Sequence, residues 1–285
     1  MRSNTGQILY IPRVGQRANP QHPLMRGCVG WWPLTDSGGG IAKDIISGGN
    51  DGTGSGGYSF GKTTRGYAAE FDGVNGTFDL GSGTDLSRNQ TAMSCSAWIS
   101  VDNATTSTAV IFYESNSLIW WQTRFTMRLS SGAIHCSGRD DDADAFTVFA
   151  ASDSSQITVN NTWYHVVAVF DPTGGGCKVY RDGVDVTSSS DNTGNGFSDT
   201  ASLVASLGSA DSSFYFDGHI QNIRVYNRAL SSSEVFELYI NPWSGLSIPS
   251  ETRYFFVPAQ IQQIFPPRMK LKTSINLGKG GRIVI

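Results

Sequence analysis

The strongest constraint on this chain is a repeating texture of short apolar runs, four to nine residues long, cut apart by glycine-rich turns. CVGWWPL is followed by TDSGGG, and the stretch SGGNDGTGSGG can only be loop. In MSCSAWISV, Met93, Cys95, Ala97, Ile99 and Val101 fall on one face and Ser94, Ser96, Trp98 and Ser100 on the other. That is the period of a half-buried strand, with Trp98 the odd member of the polar face. WYHVVAVF, residues 163–170, is apolar on both faces and predicts a central strand in which His165 is a packed histidine. Asp182-Gly183 between short apolar runs predicts a type I′ hairpin, whose two central residues both need positive φ. With 33 glycines among 285 residues, the expected class is all-β.

One segment changes period. Ser231 with Glu234 makes a capping box, and Leu230 with Val235 fits a hydrophobic staple, so a single short helix is expected to run to about Tyr239 before Asn241-Pro242 ends it. Just upstream, Ile220 is out of step with Ile223 and Val225. All three can point inward only if the strand carries a bulge.

Charge divides the chain into three parts. Residues 1–27 hold four Lys/Arg and no Asp/Glu, residues 28–240 hold 11 against 23, and residues 241–285 hold six against one. The prolines at 12, 20 and 23 and the missing periodicity suggest an extended basic N-terminal arm over 1–27. The proline-bearing tail over 241–285 is too apolar for a plain linker. Arg13 and Arg17 in the first arm, and Tyr254, Phe255, Phe256, Phe265, Arg268, Lys270 and Lys272 in the second, are the residues expected to engage a partner. Nucleic acid is not expected as that partner, because the acidic centre would repel phosphate and no aromatic-basic module is present. The opening MRSNTGQILYIPRVGQ lacks a secretory apolar core and no apolar run is long enough to span a membrane, so synthesis in the cytoplasm is expected. Cys28, Cys95, Cys136 and Cys177 show no CxxC pairing, and the favoured state is reduced, buried thiols.

Taken in order, HPLMRGCVGWWPLTDSGGG, KDIISGGNDGT, AAEFDGVNGTFDLG, SCSAWI, NTWYHVVAVFD, KVYRDGVDV and FDGHIQNIRVYNRALSSSEVFELY resemble a laminin-G-like domain of the concanavalin-type lectin and glucanase superfamily. The resemblance implies a two-sheet antiparallel jelly-roll sandwich over residues 28–240. The HPL-x-RG-x-VG opening and the NPW after the helix resemble versions common in bacteriophage and prophage structural proteins.

No catalytic constellation is visible. Glycosidases of this superfamily carry paired carboxylates on one strand; Glu234 and Glu237 sit in the helix, and GxSxG and HExxH are absent. The resemblance implies a calcium ion at a sheet rim, for which Asp44, Asn50 and Asp217 are the candidate ligands, turn-forming Asp and Asn being the simpler reading of all three. For a saccharide, consecutive Trp120 and Trp121 offer a stacking ring beside Asp140 and Asp142 of the RDDDADA stretch, against the simpler reading of a solvated acidic loop. The expected function is a non-enzymatic virion structural protein, a capsid decoration or head or tail accessory subunit. Its arms would hold the major capsid protein or sister subunits in a homo-oligomer. The alternative is a lectin-like module that binds surface glycans.

Overall fold

The structure is a computed structural model. It describes residues 15–35, 39–46, 49–82, 84–87, 89–104, 108–115, 123–138, 147–172, 174–191, 197, 203–210 and 213–247, with the backbone of 276–277 and 281–282. After a 3-10 turn at Pro23–Met25 come β1 (Cys28–Trp32), β2 (Ile41–Ala42), β3 (Gly52–Ser55), β4 (Tyr58–Thr63), β5 (Gly66–Asp72), β6 (Thr77–Ser82), β7 (Met93–Val101), β8 (Ala109–Ser115) and β9 (Thr123–Ser130). Then follow β10 (Ala133–Gly138), β11 (Thr147–Ser152), β12 (Trp163–Phe170), β13 (Lys178–Arg181), β14 (Val184–Asp185), β15 (Thr187–Ser190), β16 (Val204–Leu207), β17 (Asp217–Tyr226) and α1 (Ser232–Ile240).

The strands form two antiparallel sheets, the expected sandwich. One has the order β14-β13-β12-β7-β17-β5-β4, with β1 also paired to β17, and the other β15-β11-β10-β9-β8-β16-β6-β3-β2. Between them lies the main apolar core, which includes Trp32, Phe71, Phe78, Ile99, Phe112, Phe125, Phe170 and Ile223. Glu114 of β8 is also fully buried. Its carboxyl accepts the backbone N–H groups of Leu86 (2.7 Å) and Ser87 (3.1 Å), and burial pushes its pKa up to about 8.

Strand β17 organises the first sheet. Its first four residues, 217–220, pair with β5 and its last four, 223–226, with β1, while its other side runs along β7. The register shifts between Gln221 and Arg224, and Asn222 takes φ 57. This is the bulge that lets Ile220, Ile223 and Val225 all enter the core. Asp182 (φ 51) and Gly183 (φ 80) make the predicted turn between β13 and β14. The capping box at Ser231 and Glu234 is present, and Arg228 adds a fork to the Glu234 carboxylate at 2.9 and 2.7 Å.

Strand β7 departs from the half-buried expectation, since all nine of its residues are buried. The reason is a second apolar layer on the outer face of this sheet, built from Leu24, Met25, Trp31, Val167, Val169, Tyr226, Val235, Leu238 and Leu246. Residues 15–27, read from the sequence as part of an arm, thus belong to the sandwich. Asn19 N–H bonds Gly245 O at 2.7 Å, and Ser247 N–H bonds Arg17 O at 2.9 Å, so two segments more than 200 residues apart close over the sheet together. Periodicity failed there because the partner of each residue is remote. The chain divides after Ser247; residues 248–285 form a separate small unit, in which β18 (Asn276–Leu277) pairs with β19 (Gly281–Arg282). Cys28, Cys95, Cys136 and Cys177 are all free and buried. No helix among the described residues is long and apolar enough to cross a membrane.

Candidate functional site

Residues paired across neighbouring strands share a face, and so do residues two apart along one strand. On the outer face of the first sheet these rules assemble two adjacent rows. The first crosses five strands as Trp163, Ser100, His219, Glu70 and Ser59, on β12, β7, β17, β5 and β4. The second, one pleat away, is His165, Trp98 and Gln221.

The first row is open. Trp163, His219 and Glu70 are half-buried and Ser59 is exposed, while Ser100 forms part of the floor. Ser59 Oγ donates to Glu70 Oε2 at 3.0 Å, and the Trp163 and His219 rings lie 6.2 Å apart. Gly61 of β4 keeps the shelf clear: a Cβ there would lie 3.4 Å from Glu70 Oε2 and 3.8 Å from His219 Nε2.

The second row is covered. Arg65, at the tip of the β4–β5 hairpin, lays its guanidinium 3.4 Å over the Trp98 ring and 5.8 Å from that of Trp163. Its stem is fixed locally, because Arg65 N–H bonds Thr63 Oγ1 (3.1 Å) and Gln221 Nε2 ties down Tyr67 O (2.7 Å). Tyr239 of α1 stacks on Trp98 at 5.7 Å and on His165 at 6.1 Å. Trp98 is thus an aromatic on a polar face because it is roofed by an arginine and a tyrosine. His165 is buried as expected, with Nε2 2.9 Å from Ser96 Oγ. Burial first, then Arg65 and Arg224, push its pKa down to about 3, so it is neutral. Burial also lowers Arg65, to about 10, against the opposing pull of Asp182 and Tyr239. Four buried polar atoms here lack a hydrogen-bond partner: Arg65 Nε, Trp98 Nε1, His165 Nδ1 and Gln221 Oε1. Unpaired buried polar atoms are rare in folded proteins, and these four fall among the side chains packed with Arg65. An aromatic ring, an imidazole, a carboxylate and a hydroxyl on an open shelf are chemistry for the C–H faces and hydroxyls of a sugar.

Of the expected ion ligands, Asp44 and Asn50 share one turn and Asp217 lies apart from them. Both oxygens of Asp44 are taken by backbone N–H groups, Oδ1 by Trp31 (3.0 Å) and Ile46 (2.9 Å), Oδ2 by Asn50 (3.0 Å), and Asn50 O accepts Trp32 Nε1. They fold the 43–51 turn against β1. Asp217 starts β17, seven residues before the Arg224 that pairs with Trp31, which places it roughly 20 Å along the strand from Asp44. Burial first, then the nearby carboxylates of Asp102 and Asp72, raise the Asp217 pKa. Among the described residues no group of three His, Cys, Asp or Glu is placed to hold a metal ion. Arg17 is exposed. Trp120, Trp121, Asp140, Asp142, Arg13, Tyr254, Phe255, Phe256, Phe265, Arg268, Lys270 and Lys272 lie outside the described residues. Sequence reading missed Arg65, Glu70 and His219 altogether; the one signal was the misplaced Trp98.

Residues 71–236 match the family described as the Concanavalin A-like lectin/glucanases superfamily. No curated protein matches the chain. Among solved structures, the chain is similar to domain 4 of the extracellular arabinanase AbnA from Geobacillus stearothermophilus, in complex with arabinotriose. The identity is 22% and the TM-score 0.53, over 74% of this chain and 98% of that one. It is also similar to Trypanosoma rangeli sialidase, at 16% identity and a TM-score of 0.53, over 76% of this chain but only 33% of the sialidase. A mutant of that sialidase displaying trans-sialidase activity gives 14% identity and a TM-score of 0.54, again over 33% of its length. At these identities the likeness shows the fold alone.

Proposed function

Because this chain belongs to the Concanavalin A-like lectin/glucanases superfamily, we propose that it is a non-catalytic, lectin-like module that binds a saccharide on the shelf of Trp163, His219, Glu70 and Ser59. The observation that carries this reading is the cross-strand row itself: a half-exposed tryptophan beside hydroxyl, imidazole and carboxylate groups, with Gly61 leaving the floor open. The AbnA domain in complex with arabinotriose supports it as a precedent for the fold. Retaining and inverting glycosidases need two carboxyl groups about 5–9 Å apart. The row offers a single carboxylate, Glu70, which favours binding over turnover. A glycan array probed with the full chain and with Trp163→Ala tests it. Saccharide binding lost in the variant supports the reading; binding that survives the change places the site elsewhere.

A second reading, that the module serves as a virion decoration or head or tail accessory subunit, is favoured by the division of the chain at Ser247. Residues 1–247 carry 15 Lys/Arg against 23 Asp/Glu, whereas 248–285 carry six against one. A small basic unit that follows an acidic one along the chain suits attachment to an acidic lattice such as a major capsid protein, or to sister subunits. Light scattering of the full chain beside a chain ending at Ser247 tests the self-assembly arm: an oligomer that becomes a monomer on truncation supports it, and identical masses count against it.

A further inference from the structure

The Arg65 guanidinium is the least explained charge on the described surface. It stacks on Trp98 at 3.4 Å and faces Trp163 at 5.8 Å, yet it makes no hydrogen bond or ion pair with any described residue. Arginine forks are pre-shaped for two parallel bonds to a carboxylate or sulfate, and a cation–π contact with an indole uses none of the guanidinium N–H donors. Arg65 is half-buried, and its Nε is enclosed without an acceptor. Asp182 acts on Arg65 only at a distance, its Oδ1 being occupied by the His165 N–H at 2.9 Å.

We propose that the saccharide taken by this shelf is anionic, its carboxylate or sulfate docking on the Arg65 guanidinium while a sugar ring lies along Trp163. This inference rests on the saccharide-binding reading above and adds the charge of the ligand to it. The 5.8 Å between guanidinium and Trp163 ring is within the span of one sugar residue, so charge and ring recognition fall on the same monosaccharide. Glu70, at the far end of the row and bonded to Ser59, is left to accept ligand hydroxyls. The acidic body of the sandwich offers no long-range attraction for an anion. Selectivity is therefore local to Arg65, and the Trp98 stack holds that arginine in place.

The test uses matched pairs that differ only in the acid: trigalacturonate and its methyl ester, sialyllactose and lactose, and a sulfated heparin tetrasaccharide and its desulfated form. Titration calorimetry with the full chain is expected to show at least one acid binding about tenfold or more tighter than its neutral partner. The first two pairs report carboxylate and the third sulfate. Arg65→Gln, checked for an unchanged circular dichroism spectrum, is expected to bring the acid down to the level of its neutral partner, and Arg65→Lys to retain part of the difference. Equal binding of acid and neutral members overturns the anion proposal and leaves saccharide binding standing. Silence from all six overturns both. An acid preference that survives Arg65→Gln also overturns the assignment, and reduces Arg65 to a cover for Trp98.

Discussion

The guanidinium carbon of Arg224 lies over the indole of Trp31, 3.6 Å from its ring centroid, and both side chains are wholly buried. Among the described residues no carboxylate forms an ion pair with this charge. Instead Nη1 donates to Ser244 O at 2.9 Å, Nη2 to Pro242 O at 2.5 Å, and Nε is 3.4 Å from Asn222 Oδ1. Asn222 in turn accepts Trp31 Nε1 and donates to Pro242 O. The Asn-Pro-Trp segment after α1 is therefore clasped by the bulge of β17, and residues 15–27 pack on what the clasp holds.

Replacing Arg224 by Met removes the clasp while keeping length and apolar volume. Its hydrogen bonds involve a charged donor, and their loss is expected to destabilise the sandwich by about 2–3 kcal/mol. Urea unfolding measures the loss, and limited proteolysis should show new cleavage between 241 and 247. Lys at this position should not rescue, since an ammonium cannot stack and fork at once. A variant as stable and as resistant as the parent would remove the clasp from the account.

Glu114 sets the alkaline side of the stability curve. Its folded pKa, pushed up to about 8 by burial, lies above the ordinary 4.5, so the folded state holds a proton that the unfolded chain has lost. That contribution is complete below pH 4.5 and disappears as pH rises through 8. His165 and His135 act oppositely. Burial, with Arg65 and Arg224 in one case and Arg128 in the other, lowers them to about 3 and about 4, so their contribution is present above 6.5 and lost as pH falls. The protein should be most stable near neutrality, losing up to about 1.4 kcal/mol per pH unit between 6.5 and 8 through Glu114. Glu114→Gln should flatten that limb in urea titrations at the two pH values. Parallel curves for parent and variant would sink the assignment.

The four cysteines give a chemical check on the core. Burial pushes the thiol of Cys28 up to about 12 and that of Cys177 to about 11, and holds Cys95 and Cys136 well above the ordinary 9. Thiolate is the reactive form, so Ellman's reagent at pH 8 should find almost nothing in the native protein and four thiols after guanidinium is added. Fewer than four on unfolding would mean a disulfide.

What could be seen beforehand was local. The Asp182-Gly183 turn, the Ser231 capping box and the β17 bulge each follow from a few adjacent residues, and each is present. The shelf was invisible because Ser59, Glu70, Ser100, Trp163 and His219 span 160 positions and become neighbours only through strand order. Trp98 was the exception, an aromatic where a polar residue was due, and it stands next to the shelf. Likewise Leu24 and Met25 looked like arm residues because the surface that buries them comes from α1 and residues 243–246, beyond the reach of any local pattern.

Gly61 separates binding from folding. A Cβ there would make ordinary contacts, 3.4 Å to Glu70 Oε2 and 3.8 Å to His219 Nε2, and the residue has no positive φ to protect. Valine suits a strand and removes the entropic weakness of glycine, so Gly61→Val should leave the melting temperature unchanged or slightly higher, the gain being at most about 1 kcal/mol. Its methyl groups, however, would fill the floor between the two polar tips. Saccharide binding on this shelf should then fall about tenfold, the usual consequence of losing one or two ligand hydrogen bonds. A stable Gly61→Val protein that binds saccharide as well as the parent would move the site off this face, whereas a destabilised one would show that the shelf is packed more tightly than its open row suggests.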